Sequence, residues 1–178
     1  MFETPRLILR PWRDDDRDAF AAIVGDPQIM RFYPRTRDRA AADGWIDKMI
    51  AGLRDGTSAF LAAERKSDKA LIGLIGTGQI DIELRGNPPE EIGWVLDKRY
   101  WGQGLAVEGA SAHIAHAWQR GLPEIVAFTA AINTPSQRVM EKLGMARDIE
   151  GDFLHPRIPE DHPLRPHVLY RLPNPQRP

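Results

Sequence analysis

The stretch that decides the fold is Tyr100-Trp101-Gly102-Gln103-Gly104-Leu105-Ala106. It follows an apolar segment with the length of a β-strand, Ile92-Gly93-Trp94-Val95-Leu96, and it leads into a segment whose apolar residues recur at helical spacing. A glycine turn between a strand and a helix leaves backbone N–H groups unpaired at the positive end of the helix dipole, where a phosphate can bind. On its own, the turn predicts either a phosphate site or simply a tight connection.

Around this turn, apolar periodicity predicts a fold of the α/β class with mixed α and β elements. Strands are expected at 6–10, 58–64, 71–84, 91–96, 125–129, 145–152 and 167–172, and helices at 14–24, 37–55, from the turn to about 120, and 134–143. Short turns between the second, third and fourth strands predict an antiparallel meander, whereas the helical crossover makes 91–96 and 125–129 parallel. We therefore expect a mixed, mostly antiparallel central sheet with helices on both faces, and a ligand crevice where the parallel strands end.

Composition and charge restrict the class of protein. The 178 residues, 42% of them hydrophobic, suffice for one domain over 1–178 with its core at about 4–172. A formal net charge of −1 argues against nucleic acid or an anionic membrane as a partner. The absence of cysteine excludes disulfides, thiolate metal sites and a cysteine nucleophile. With no leader-like segment and no apolar run of about 20 residues, a cytoplasmic location is expected.

The last predicted helix has a clear start and end. Thr134-Pro135-Ser136-Gln137 fits a capping box with Thr134 as the N-cap, and Gly144 ends the helix. Asn133 then lies just outside the cap. Its amide is expected either to bond the cofactor or the neighbouring strand, or to close the turn after the strand.

Three ordered blocks of sequence resemble the GNAT N-acetyltransferase superfamily. They are 91–96, 100–108 and 133–145, and the opening 4–12 is similar to the first strand of one of its branches. That branch is typified by the bacterial ribosomal-protein N-terminal acetyltransferases. The likeness covers nearly the whole chain, from 4 to 172. It implies a GNAT-like sheet, acetyl-CoA as the cosubstrate and an amine as the acceptor.

The resemblance also implies where the cofactor binds. The diphosphate of CoA is expected on the turn, at Gly102, Gln103, Gly104, Leu105 and Ala106, with Asn133 and Ser136 nearby. The pantetheine arm is expected to pair, like an added strand, with Trp94, Val95 and Leu96. For the side chains of Trp94 and Trp101, plain packing is the alternative role.

The register of the diphosphate motif is open to two interpretations. The family pattern is Gln/Arg-x-x-Gly-x-Gly/Ala, and in the register that ends at Ala106 the first position is Trp101. Arg99-x-x-Gly102-x-Gly104 also satisfies it two residues earlier. The later register is preferred because it starts the helix at the glycines.

Acetyl transfer to an amine needs two proton transfers, and the resemblance assigns candidates for both. The acceptor ammonium must lose a proton before it attacks, and Glu91 is the expected base, acting through water. Many family members protonate the departing thiolate with a tyrosine, but Met140 stands at that position here. Ser136 is the expected substitute. The alternatives are a solvated turn edge for Glu91 and ordinary solvation of the helix start for Ser136; Glu108 is expected to stabilise its helix rather than to react.

The histidines and the acceptor are the least determined features. A Pro- and His-rich loop at 153–166 contains or adjoins His155, His162 and His167. These histidines lack the spacing of a zinc site, so no metal is expected. A role of the loop at the substrate mouth is predicted from its position alone. Lack of cysteine favours direct transfer in a ternary complex. The alternative is a non-catalytic acyl-CoA-binding regulator on the same fold. The acceptor, and whether the protein is a monomer or a homodimer, stay open.

Overall fold

One sheet organises the molecule, for which the computed structural model describes residues 1–177. Within these residues eight strands form the sheet in the order β1-β2-β3-β4-β5-β6-β8-β7. Their bounds are β1 Phe2–Glu3, β2 Leu7–Arg10, β3 Ser58–Arg65, β4 Leu71–Gln79, β5 Glu90–Leu96, β6 Glu124–Ala130, β7 Ala146–Leu154 and β8 Pro166–Pro173. All neighbouring pairs are antiparallel except β5 and β6. The predicted mixed, mostly antiparallel sheet is confirmed.

Four helices cover the two faces of this sheet. They are α1 Arg17–Gly25, α2 Arg39–Asp55, α3 Leu105–Gln119 and α4 Thr134–Lys142, and short 3₁₀ turns precede α1 (Asp14–Asp16) and follow β5 (Lys98–Tyr100). Alternation along β5 separates the two cores: Leu96 packs in the cluster beneath α3 and α4, whereas Val95 packs in the cluster beneath α1 and α2. The expected helices on both faces are therefore present.

The strand predicted at 71–84 was too long. β4 ends at Gln79, which pairs with Glu90, the first residue of β5. Beyond Gln79 the chain has no partner strand, so the alternation of Ile80, Ile82 and Leu84 falls in the connection between β4 and β5. A strand needs a neighbour for its N–H and C=O groups, and periodicity alone does not reveal whether one exists.

The parallel pair of strands separates almost as soon as it forms. β5 and β6 pair at Glu91 and Val126, and no further register between them is found within 1–177. On its other side β5 stays bonded to β4 up to the strand end, where the Asp97 N–H donates to the Ile72 carbonyl over 2.8 Å. Alternation then directs the main-chain groups of Trp94 and Leu96 away from β4. The result is an opening between β5 and β6 whose β5 edge carries unpaired backbone groups.

Candidate functional site

The glycine turn is shaped by backbone conformation. Gly102 and Gly104 have φ of +74° and +76°, a region that side chains with a Cβ rarely adopt. A Cβ built on Gly102 meets nothing within 4 Å, so conformation, rather than crowding, calls for glycine there and the space above the turn is open. Gly104 is the N-cap of α3 and has no side chain to offer the first-turn N–H groups. These donors are left for an anion.

Trp101 fastens the turn to the end of β5. Its indole Nε1 donates to the Leu96 carbonyl over 2.8 Å, while 38% of the residue remains exposed. The ring therefore lies across the mouth of the opening rather than in the core. The guanidinium of Arg31 lies over it, with Cζ 4.8 Å from the ring centroid.

The three predicted strand residues do not face the same way. The main-chain groups of Trp94 and Leu96 face the opening, and the Leu96 carbonyl already accepts the Trp101 indole. The backbone of Val95 faces β4, and its side chain packs under α1 and α2. An extended ligand in the opening can thus pair with Trp94 and Leu96 but not with the backbone of Val95.

Asn133, and not Thr134, is the N-cap of α4, which corrects the predicted helix start. The Asn133 Oδ1 accepts from the Ser136 N–H over 3.3 Å, and its Nδ2 donates to the Thr129 hydroxyl over 2.8 Å. Thr134 is the first helical residue. The Asn133 side chain thus reaches the Ser136 N–H, at the third position of the helix, whereas the capping-box pattern would have paired Thr134 with the Gln137 N–H. Both ends of the Asn133 amide are therefore engaged within the protein.

Ser136 lies in the first turn of α4 and is half-buried. Its N–H is bound to Asn133, and among the described residues its hydroxyl has no hydrogen-bond partner. Met140, one helical turn further on, is 1% exposed and packs in the core beneath α3 and α4. The hydroxyl of Ser136 is thus available to a ligand, whereas Met140 can only pack.

Glu91 and Glu90 are adjacent in sequence but lie in different surroundings. Glu90 forms a bidentate ion pair with Arg120, with the closest contact at 2.6 Å. Glu91 is half-buried at the apex of the opening, beside Val126, and within 1–177 it has no cationic partner. Burial, reinforced by repulsion from Asp81, raises the pKa of Glu91 to about 7. Such a carboxylate can take up a proton near neutral pH.

Tyr33, in the segment between α1 and α2, lies close enough to Glu91 for the charge of this carboxylate to act on the phenol. Burial of the phenol raises the pKa of Tyr33 to about 12, and the charge of Glu91 adds to the shift. The residue is 37% exposed, so the phenol lines a crevice that is open to solvent. Tyr33 stays protonated at neutral pH and can act only as a hydrogen-bonding group there. Nothing in its local sequence marks it.

Two histidines and two phenylalanines from β6, β7, β8 and the loop after β7 form a half-buried wall. The members of this ring wall are Phe128, Phe153, His155 and His167; the closest ring centroids, 4.8 Å apart, are those of the two histidines. Burial lowers the pKa of both imidazoles, and Arg157 lowers that of His155 further. The His155 Nδ1 accepts the Arg157 N–H, whereas the His167 Nδ1, 3.1 Å from the Arg165 carbonyl, must donate. When neutral, the two rings are therefore opposite tautomers.

The loop between β7 and β8 closes against the segment that carries Tyr33. Ile158 and Leu164 from the loop pack with Phe32 and Ala130 in a small apolar cluster. Arg157 reaches the connection after β4, where its Nη1 lies 2.8 Å from Asp81 Oδ2. These contacts place the loop at the mouth of the opening, and its role toward a substrate stays a prediction.

The opposite side of the glycine turn bears a cavity of about 390 Å³, lined among others by Arg6, Arg65, Lys66 and Gln103. Each of its three cations is already paired, with Glu108, Asp68 and Glu3 respectively. Glu108 also accepts from the Thr4 hydroxyl and the Arg6 N–H. It therefore ties the N-terminus of the chain to α3 and takes no part in the opening.

The described residues contain no cluster of three or more histidine or acidic side chains placed to hold a metal ion. Across the same residues, none of the helices combines the length and the apolar character that crossing a membrane requires.

Comparisons with known proteins agree with this geometry. The model of the acetyltransferase (GNAT) domain family matches residues 6–146. The N-acetyltransferase YnaD of Bacillus subtilis is 31% identical over 149 residues, covering 82% of each chain. The FsC-acetyl coenzyme A-N(2)-transacetylase of Aspergillus fumigatus is 38% identical over 149 residues, which is 80% of this chain and 63% of that one. Mycobacterium smegmatis RimJ, solved with a CoA disulfide, has the same fold, with a TM-score of 0.75 at 21% identity over 97% of this chain and 84% of that one.

Proposed function

Because the chain belongs to the GNAT family of acetyltransferases, we propose that it moves an acetyl group from acetyl-CoA to a primary amine of a small molecule or of a peptide or protein N-terminus. One observation carries the proposal. The opening between β5 and β6 has free main-chain groups on one edge and, at its apex, a half-buried carboxyl with a pKa raised to about 7. It combines a place for the thioester with a base for the amine.

The donor is proposed to lie along β5. The pantetheine amides pair with the main chain of Trp94 and Leu96, and the diphosphate rests on the N–H groups from Gly102 to Ala106. Val95 contributes packing rather than main-chain bonds. Asn133 caps α4 and so holds the start of this helix in place. Ser136, in the first turn of the same helix, faces the sulfur end of the cofactor.

The reaction is proposed to be direct transfer in a ternary complex. Glu91, through a water molecule, takes a proton from the acceptor ammonium, and the free amine attacks the thioester carbonyl carbon. The new C–N bond forms as the C–S bond breaks. The sulfur leaves as a thiolate, stabilised by the Ser136 hydroxyl, and the second amine proton passes to it. A chain without cysteine has no thiol to carry the acetyl group covalently.

Two acceptor classes are carried forward. The resemblance of residues 4–12 to the branch of bacterial ribosomal-protein N-terminal acetyltransferases supports a peptide N-terminus. The name of the Aspergillus fumigatus relative specifies an N(2) amine, and at 38% identity it supports a small molecule. A peptide is larger than a small amine. It would therefore contact more of the loop of residues 153–166, which lies at the mouth of the opening.

The test is thiol release from acetyl-CoA in the presence of a panel of small primary amines and of short peptides with free N-termini. We expect amine-dependent release, and no acetyl group left on the protein. Tight CoA binding, measured by calorimetry, together with no release for any amine would favour the rival function, a non-catalytic acyl-CoA-binding regulator. An acetylated protein isolated after mixing would contradict direct transfer.

A further inference from the structure

A short segment between α1 and α2 lies against the glycine turn at two points. The Asp26 carboxylate pairs with the Lys98 ammonium over 2.6 Å. Five residues later, the Arg31 guanidinium stacks on Trp101, with its Cζ 4.8 Å from the ring centroid. The segment of residues 26–33 is thus held against the turn that is proposed to bind the diphosphate.

Arg31 differs from the other cations around this turn in having no anionic partner. Arg6 pairs with Glu108, Lys98 pairs with Asp26, and Arg99 pairs with Asp97, each at 2.6 Å. Within residues 1–177, Arg31 makes no ion pair. Its Nη1 donates to the Gln28 carbonyl over 2.7 Å, and its other donors are free.

The aromatic contacts of Arg31 hold its guanidinium in place without neutralising its charge. The guanidinium lies between the rings of Phe32 and Trp101, with its Cζ 4.7 Å and 4.8 Å from their centroids. A stacked guanidinium keeps its in-plane N–H donors available for a phosphate, and less side-chain entropy is lost when that bond forms. The ring of Trp101 is itself bonded to the end of β5, so Arg31 lies where the open edge meets the turn.

We propose that Arg31 is the side chain that neutralises the diphosphate of CoA, and that through it donor binding orders the Tyr33 side of the acceptor site. This inference rests on the proposed function, because it assumes that CoA binds at the turn. The diphosphate carries two negative charges, and every other cation beside the turn would have to give up an existing partner to meet them.

The segment of residues 26–33 is compact, because backbone hydrogen bonds connect its residues. The Met30 N–H donates to the Asp26 carbonyl over 3.0 Å, and the Tyr33 N–H donates to the Met30 carbonyl over 2.8 Å. These bonds enclose Arg31 in one short turn with Tyr33, so a ligand that holds the Arg31 side chain should also restrain the backbone at Tyr33. Phe32, between Arg31 and Tyr33, packs against Ile158 and Leu164 of the loop between β7 and β8, so a bound diphosphate also restrains this side of the acceptor crevice.

The first experiment compares CoA with S-acetylpantetheine, which lacks the diphosphate and the nucleotide, by calorimetry on Arg31→Met. Methionine keeps an unbranched apolar stem but removes the guanidinium and its charge. We expect CoA to bind about 10-fold more weakly with a smaller salt dependence, and S-acetylpantetheine to bind as it does to the parent protein. Arg99→Met is the matched control, and it should change CoA affinity less than about 2-fold because Arg99 is already paired.

The second experiment measures backbone hydrogen exchange over residues 26–33. CoA should slow exchange in the parent protein and in Arg99→Met, but not in Arg31→Met at equal saturation with CoA. Three results would overturn the proposal. CoA affinity could fall equally in Arg31→Met and Arg99→Met, or Arg31→Met could lose as much affinity for S-acetylpantetheine as for CoA. The third is that CoA does not slow hydrogen exchange over residues 26–33 in the parent protein. If the parent protein does not bind CoA at all, the proposed function fails instead.

Discussion

The two sides of the opening are built by different means. The donor side is made by a few consecutive residues: the end of β5, the bonded ring of Trp101, and two glycines in left-handed conformations. The acceptor side gathers side chains from distant parts of the chain, among them Tyr33, Asp81 and the ring wall. In the proposed function, a constant cofactor is therefore bound by local backbone geometry, whereas the acceptor is recognised by side chains that long-range packing brings together.

The two sides also differ in their electrostatics. The turn offers N–H groups and the unpaired guanidinium of Arg31, which suit an anion. The crevice offers the carboxyl of Glu91 and neutral rings whose pKa values are lowered by burial, which suit an amine about to lose a proton. Substitutions on the donor side should therefore alter the affinity for CoA, and substitutions on the acceptor side should alter turnover.

The largest effect is expected on the donor side, from Gly104→Val. A β-branched residue at φ +76° distorts the turn, and CoA affinity should fall by about 100-fold or more. Gly144→Val is the matched control, because Gly144 has φ +81° and a Cβ there meets nothing within 4 Å, while a Cβ on Gly104 meets only the end of the Arg6 side chain, at 3.7 Å. Both variants should lose thermal stability, but only the first should lose CoA binding in calorimetry. Equal affinities in the two would remove the turn from the donor site.

On the acceptor side, Glu91→Gln should lower kcat by about 100-fold while changing CoA affinity less than about 2-fold. In the parent protein kcat/KM should rise with pH through about 7, as the Glu91 carboxyl loses its proton, and this rise should be absent in the variant. Rates of both proteins measured across pH 5.5–8.5 check the loss of kcat and the change in the pH profile, and calorimetry checks the CoA affinity. A pH profile unchanged by the substitution would exclude Glu91 as the base.

The same carboxyl should leave a signature in stability. Its pKa is raised from 4.5 to about 7 on folding, so the folded state binds a proton more tightly, and stability is lost as pH rises through that interval. Above pH 7, Glu91→Gln should therefore be more stable than the parent protein by about 1–3 kcal/mol, with no advantage below pH 4. Urea unfolding at pH 4 and pH 8 tests this. A variant less stable at pH 8 would show that the carboxylate is well solvated or paired.

A smaller effect is expected where the two sides meet, at Ser136. Ser136→Ala should reduce kcat by about 10-fold if the hydroxyl stabilises the leaving thiolate, with unchanged CoA affinity. Ser111→Ala, at an exposed position on α3, is the control for removing a hydroxyl from a helix. If Ser136→Ala keeps full turnover and loses only some thermal stability, the hydroxyl merely solvates the helix start.

The smallest effect is expected at the ring wall. His167→Gln keeps a polar side chain but removes the ring that contacts His155, and it should raise the acceptor KM by about 3-fold at constant CoA affinity. The amine with the highest turnover in the thiol-release panel serves as acceptor. His116→Gln, on α3, is the control. An altered CoA affinity in His167→Gln would mean that the wall belongs to the donor side.

The sequence could predict the features that depend on local patterns, but not those that depend on distant residues. The order of helices and strands, the glycine turn and the parallel strand pair depend on local patterns, and the fold inferred from them is correct. The sequence could not distinguish Asn133 from Thr134 as the cap, because the two residues are adjacent and both residue types are favoured at the N-cap. It gave no signal for Tyr33 or Arg31, since their importance comes from Glu91 and Trp101, more than 50 residues away.

The central proposal is that the donor lies along the open edge of β5, and residue-resolved amide hydrogen exchange by NMR tests it most directly. The Trp94 and Leu96 N–H groups face the opening, whereas the Val95 N–H is directed at β4. Saturating CoA should slow exchange at Trp94 or Leu96 and leave Val95 unchanged. If CoA binds and neither Trp94 nor Leu96 gains protection, the donor lies elsewhere and the proposed site is wrong.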